Sequence, residues 1–204
     1  MGSNEQSEEF KALVQRLEEE LKKKVIETLP QMAVQMDVLS AKCLKAFKRG
    51  EHSKPSEEII QLMDEVRPFY IESVSDLHLI EAKLRQMTSD VKLSAEVLTG
   101  EVLDRSLKLT EGLRKDLADE LKILDNYHNE RSYQLRKMIK YPSQGDAPLT
   151  EFDRKTVTNL RINLAKCRNL SIALHSILSE NMEHFVGKRS KKDKQDGLYS
   201  MLYC

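Results

Sequence analysis

The chain has 204 residues, of which 40% are hydrophobic and 32% are charged, with seven Gly, five Pro and no Trp. Its 33 basic residues balance its 33 acidic residues, which argues against a globally basic nucleic-acid-binding protein. The acidic start lacks the apolar core of a secretion signal. No apolar run approaches the ~20 residues that cross a bilayer. We therefore expect a protein of the nucleus or cytoplasm, without nucleic-acid or membrane partners.

The first apolar stripe predicts a helix over residues 7–47. Apolar residues recur at three- and four-residue steps from Phe10 to Phe47, and Ser7 is a candidate N-cap. Pro30 interrupts the stripe. Because proline removes a backbone donor and clashes with the preceding turn, we expect a kink there.

A second helix is predicted over residues 56–87, after a polar loop at Lys48–Pro55. Its apolar stripe runs from Ile59 to Leu84, with Pro68 in the interior. The stripe weakens over Gln86–Ser94, which predicts a loop with uncertain bounds.

The third and fourth helices are predicted over residues 96–141 and 150–186. Two prolines, Pro142 and Pro148, separate them. Thr150 is a candidate N-cap, with Asp153 in an acidic first turn, and Gly187 is a natural stop.

Four long helices with short connections favour an all-α fold, an antiparallel up-and-down four-helix bundle over residues 1–187. Apolar stripes as broad as that of the third helix would leave surface to bury against neighbouring molecules. Residues 188–204 form a separate basic C-terminal tail.

The sequence contains no pattern typical of an enzyme or a metal site, and we expect no catalytic residue, metal or cofactor. It has neither a Gly-rich phosphate loop nor a nucleophile elbow. Asp125-x-x-His128 is the nearest approach to a di-iron carboxylate motif, which needs Glu-x-x-His pairs. Cys167 and His175 are ~12 Å apart along one helix, too far for a nucleophilic pair. The three cysteines fit buried or incidental thiols better than a redox role.

The tail begins with the strongest charge asymmetry of the chain. A solvated linker, a nuclear localisation signal and a contact with membrane or nucleic acid all stay open as interpretations of it. The basic residues are Lys188, Arg189, Lys191, Lys192 and Lys194.

Several short motifs, in order, resemble the 11S proteasome activators, the ring-shaped caps of the 20S proteasome. The similarity covers nearly the whole chain, is best from Tyr127 to Arg189, and is closest to the gamma-type subunits. The matching residues are Val66-Arg67-Pro68, Lys140-Tyr141-Pro142, Asp153, Leu160-Arg161, Arg168-Asn169, Leu174-His175, Ile177-Leu178, Asn181 and Lys188-Arg189.

The resemblance implies a non-enzymatic, ATP-independent activator whose bundles assemble into a homo-oligomeric ring, as in the family's heptamers. C-terminal tails of the family dock on the 20S proteasome α-ring, which implies that role for Leu202, Tyr203 and Cys204. The loop between the second and third helices opens the gate. By alignment this activation loop is Ser89, Asp90, Val91, Lys92 and Leu93, and only Asp90 matches the family's loop.

Two other functions compatible with a helical bundle stay open at this point. A coiled-coil or helical-bundle adaptor without proteasome activity would use its helix faces as a docking surface. A four-helix lipid-binding protein is the more remote alternative. The mass in solution separates a ring from a monomeric or dimeric adaptor.

Overall fold

The computed structural model describes residues 2–46, 57–94, 97–145 and 147–181, and this part of the chain is almost entirely helical. The helices are α1 (Gly2–Lys23), α2 (Leu29–Ala46), α3 (Glu57–Ser94), α4 (Val97–Lys140) and α5 (Ala147–Glu180). A π-helical turn, Lys24–Thr28, joins α1 to α2, and a 3₁₀ turn, Pro142–Gln144, follows α4. The predicted all-α bundle is confirmed, with α1 and α2 forming its first rod.

The irregularity expected at Pro30 takes the form of the π-helical turn directly before it. The Leu29 N–H donates to the Lys24 carbonyl oxygen, five residues back rather than four. Pro30 has no N–H to donate, and in an ideal helix its ring would clash with the carbonyl of Ile26. The widened turn relieves both problems and lets the helix continue.

The helices form two layers, each a pair of neighbours. Helix α2 packs mainly on α5, and α3 packs on α4; α4 also contacts α5, while α2 and α3 touch less. The core lies between the layers, with fully buried Leu39, Tyr70, Leu117 and Leu164 among its members. Lys24 bridges the layers by an ion pair with Asp76 of α3 at 2.6 Å.

The α4–α5 turn depends on one glycine. Gly145 has φ of 60° and its N–H donates to the Pro142 carbonyl oxygen at 3.0 Å, a conformation that glycine adopts without strain. Helix α5 then begins at Ala147, so the N-cap predicted at Thr150 is wrong. Pro148 fits in the first turn because the N–H that it lacks has no intrahelical acceptor there.

Candidate functional site

The end of α5 and the end of α3 meet at the same end of the bundle. Leu178 of α5 and Met87 of α3 border one narrow apolar pocket near the α3–α4 junction. The residues lining this pocket are Leu21, Val25, Ile80, Lys83, Leu84, Met87 and Leu178. We call this the junction end. Helix α5 therefore ends beside the α3–α4 junction.

The predicted activation loop is helical in the backbone. Residues Ser89, Asp90, Val91, Lys92 and Leu93 all lie in α3, which continues to Ser94. The loop predicted over Gln86–Ser94 is therefore wrong as local structure. The physical reason is composition, because this stretch has no Gly or Pro to stop the helix. The side chains from Ser89 to Ser94 lie outside the described part of the molecule.

A buried carboxylate links α3 to α4 two turns before this segment. Glu81 is 5% exposed. It accepts a hydrogen bond from Arg114 Nε of α4 at 2.5 Å and another from Arg85 Nε at 3.0 Å. Arg85 also pairs with Glu111 of α4 at 2.5 Å. The four side chains form a cross-helix network, which we call the Glu81 cluster.

The electrostatics of the Glu81 cluster favour the charged form of its central carboxyl. Burial alone would raise the pKa of Glu81, but the hydrogen bonds and charges of Arg114 and Arg85 together outweigh it, so the pKa is lowered. The ionised carboxylate accepts two hydrogen bonds, and the one from Arg114 holds α3 and α4 in a fixed position relative to each other. Sequence analysis did not identify this cluster. Its only signal is a glutamate beside the apolar positions Ile80 and Leu84.

A second buried polar group lies at the opposite end of the bundle, next to the α4–α5 turn. Asp153 accepts a hydrogen bond from the Tyr127 hydroxyl at 2.7 Å and from Arg131 Nε at 3.1 Å. The Tyr127 ring stacks on Phe152 with centroids 5.8 Å apart. Asp153 is thus a buried partner of α4 rather than a residue of the first turn of α5. Burial and the nearby Asp153 carboxylate raise the pKa of Tyr127.

Two sets of predicted site residues fall outside the described part of the chain. They are the tail residues Leu202, Tyr203 and Cys204 and the basic residues Lys188, Arg189, Lys191, Lys192 and Lys194. Their roles stay predictions. The structure describes the end of α5 from which they follow.

The described helices contain no group of three His, Cys, Asp or Glu side chains that could hold a metal ion. Asp125 pairs instead with Arg67 of α3 at 3.0 Å. Burial raises the pKa of Cys43 to about 11 and that of Cys167 to about 12, which makes both thiols poor nucleophiles at neutral pH. Among the same residues, no helix has the length and apolar character to span a membrane.

Comparison with known proteins identifies the family. The sequence matches no curated protein at a significant level. A solved structure with a similar fold is the 11S subunit of the Plasmodium falciparum proteasome, PA28. It has a TM-score of 0.58 and 16% sequence identity, over 91% of this chain and 95% of that chain. The family model described as "Proteasome activator PA28, C-terminal" matches residues 52–195. The chain therefore belongs to the PA28 family of 11S proteasome activators.

Proposed function

We propose that this protein is an ATP-independent activator of the 20S proteasome, which docks by C-terminal tails and opens the α-ring gate with the α3–α4 junction. One observation carries the proposal beyond family membership. Because Leu178 and Met87 border the same pocket, the end of α5, which precedes the tail in sequence, and the end of α3 lie at one end of the bundle. A subunit anchored by its tail therefore has the junction next to the proteasome surface.

The proposal includes a homo-oligomeric ring, with seven subunits as the resemblance implies. A ring needs two different contact surfaces on each subunit, because each copy contacts its two neighbours head to tail. Both layers of the bundle carry exposed aliphatic side chains, which supports such contacts. In the α2–α5 layer these are Val34, Val38, Leu44, Ile162 and Ile172, and in the α3–α4 layer Ile71.

A ring also makes weak tails sufficient for docking. Once one tail is bound, the others are held near their sites at a high effective concentration. The proposed contacts are made by Leu202, Tyr203 and Cys204, which lie outside the described residues. The role is regulatory, in keeping with a family of activators rather than catalytic enzymes.

The helical end of α3 gives the gate-opening step a specific form. Asp90 is the one residue of the aligned segment that matches the family's loop, and its backbone is helical here. We propose that the end of α3 around Asp90 contacts the gate. The Glu81 cluster, two turns earlier, holds α3 against α4 and so resists bending when that contact forms.

The test is hydrolysis of fluorogenic peptides by purified 20S proteasome, with and without the full-length protein. We expect stimulation by the wild type and its loss on deletion of Leu202–Cys204. Gln195→Ala, in the same tail, is the matched control and should stimulate like the wild type. No stimulation by the wild type, together with proteasome binding that survives the deletion, would contradict the proposal and favour an adaptor.

A further inference from the structure

The outer surface of α4 near its C-terminal end combines exposed aromatic and basic side chains. Tyr133, Lys137 and Lys140 follow one another at helical positions i, i+4 and i+7, so they share one side of the helix. Arg136 is exposed beside them. We call these four residues the Tyr133 face. It lies about 55–65 Å along α4 from the start of that helix at the junction, at 1.5 Å per residue.

The last part of α4 and the turn after it carry only positive charges. From Arg131 to Gly145 the chain contains four basic residues and no acidic one. Of the four, Arg131 forms an ion pair with the buried Asp153. Cations near a helix C-terminus complement its dipole, which accounts for basic residues in the last turn. It does not account for the aromatic and aliphatic side chains exposed among them: Tyr133, Ile139 and Tyr141 are 46%, 68% and 49% exposed.

The lysines of the face already lie against aromatic rings. Lys137 Nζ is 4.5 Å from the centroid of the Tyr133 ring, and Lys140 Nζ is 5.4 Å from that of Tyr141. These cation–π contacts orient the ammonium groups and lower the entropy lost when a ligand binds them. The rings also offer apolar area next to each positive charge.

A groove between α4 and α5 continues from the Tyr133 face toward the middle of the bundle. Its apolar surface comes from Ile123, Tyr127 and Phe152. The complete lining is Lys122, Ile123, Asn126, Tyr127, Glu130, Phe152 and Thr156. Its volume is about 280 Å³. The groove therefore has room for one or two apolar side chains of a peptide.

We propose that the groove and the Tyr133 face together bind an acidic peptide segment of a partner protein. An apolar side chain of the peptide occupies the groove beside Ile123 and Phe152. Carboxylates that follow it pair with Arg136, Lys137 and Lys140. This surface lies at the opposite end from the junction, so the inference does not depend on proteasome docking.

The same observations favour a peptide over nucleic acid. The face has three exposed cations, so it would neutralise about three phosphates at most, and the electrostatic contribution to nucleic-acid affinity grows with that number. Glu130 also lies in the groove, where it would repel a phosphate backbone that followed the helix. A peptide can avoid this charge by placing an apolar residue there and its carboxylates further along α4.

The experiment uses the full-length protein and a fluorescein-labelled peptide of one Phe followed by four Glu. Binding is measured by fluorescence anisotropy at low and at physiological salt. We expect saturable binding that weakens with salt, because the paired charges are exposed and screened. Replacing the Phe of the peptide by Ala, or its four Glu by Lys, should each weaken binding at least fivefold.

Protein variants locate the site. We expect the double variant Arg136→Ala, Lys137→Ala to bind the peptide at least tenfold more weakly, and Lys115→Ala, an exposed lysine of the same helix, to bind like the wild type. Equal binding by the double variant would overturn the inference. Stronger competition by a single-stranded DNA oligonucleotide than by unlabelled peptide would also overturn it. So would a change of oligomer mass in the double variant, since the face would then be a subunit contact.

Discussion

Arg114 of α4 donates a hydrogen bond to the buried Glu81 carboxylate of α3 at 2.5 Å, about two turns before the segment of α3 that begins at Ser89. Arg85 adds a second bond at 3.0 Å. The bond between Arg114 and Glu81 joins α4 to α3, the helix that precedes it in the sequence. It therefore supports the segment that we propose acts on the proteasome gate.

The first prediction concerns the stability that this pair provides. Glu81→Gln removes the charge and keeps the shape, so each arginine loses a charge-assisted acceptor. We expect the free energy of unfolding to fall by about 2 kcal/mol, which is in the range for hydrogen bonds to charged groups. The loss is no larger because both arginines are partly exposed and can bind water instead. Urea denaturation at pH 7 measures it. Glu72→Gln, an exposed glutamate of α3, should change stability by less than about 0.5 kcal/mol.

The pH dependence follows from the lowered pKa of Glu81. Its contribution is fully present above the ordinary value of 4.5 and is lost as pH falls below it through the folded-state pKa. The difference between the wild type and Glu81→Gln should therefore shrink from pH 6 to pH 3. A difference that grew on acidification would contradict this account.

The second prediction concerns Glu120, which is 6% exposed in α4. Burial raises its pKa, and no ion pair of Glu120 occurs among the described residues. Its folded-state pKa lies above the ordinary value, so the ionised form weakens the fold at high pH and the cost disappears on acidification. We expect Glu120→Gln to stabilise the protein by about 1 kcal/mol at pH 8, and by less at pH 5.

Thermal unfolding at the two pH values measures this effect. Glu101→Gln, an exposed glutamate of the same helix, is the matched control and should shift the midpoint at neither pH. A lower midpoint for Glu120→Gln at pH 8 would show that the charged form makes a favourable contact.

The third prediction separates two partners of Asp153. Tyr127→Phe removes one hydrogen bond of 2.7 Å and should cost about 1 kcal/mol. Asp153→Ala leaves the Arg131 guanidinium buried without its carboxylate and should cost about 3–5 kcal/mol. Urea denaturation of the two variants measures the difference. A larger loss for Tyr127→Phe would mean that the ion pair contributes little to stability.

The fourth prediction separates docking from gate opening. Asp90→Ala should lower the stimulation of peptide hydrolysis severalfold and leave binding to the 20S proteasome unchanged, because docking is assigned to the tail. Binding is measured by co-sedimentation and stimulation by fluorogenic peptides. Gln86→Ala, an exposed position one turn earlier in α3, should match the wild type in both assays. Loss of binding in Asp90→Ala would contradict the division of roles.

Much of the fold could be predicted from local sequence. Apolar periodicity predicted the helices, and Pro30 indicated where the first rod becomes irregular. The loop over Gln86–Ser94 was wrong because a weak apolar stripe indicates exposure rather than a break, and no Gly or Pro stops the helix. Thr150 has a side chain suited to an N-cap, but α5 begins three residues earlier at Ala147, with Pro148 in its first turn.

The cross-helix contacts could not be predicted, because they depend on which residues face each other across the bundle. Glu81 and Arg114 are 33 residues apart, and nothing local in either helix indicates the pair. The same holds for Tyr127 and Asp153. Antiparallel packing predicts that α3 and α5 end at the same end of the bundle. Which residues meet there, such as Leu178 and Met87, could be identified only from the structure.

Electron microscopy of the protein mixed with 20S proteasome tests the central claim most directly. We predict a ring of bundles, with seven copies, seated on the α-ring with the junction end of each subunit, at Leu178 and Met87, against the proteasome. Particles in which the opposite end, at Tyr141, faces the α-ring would contradict the proposed function. So would the absence of any complex at concentrations that saturate an active 11S ring.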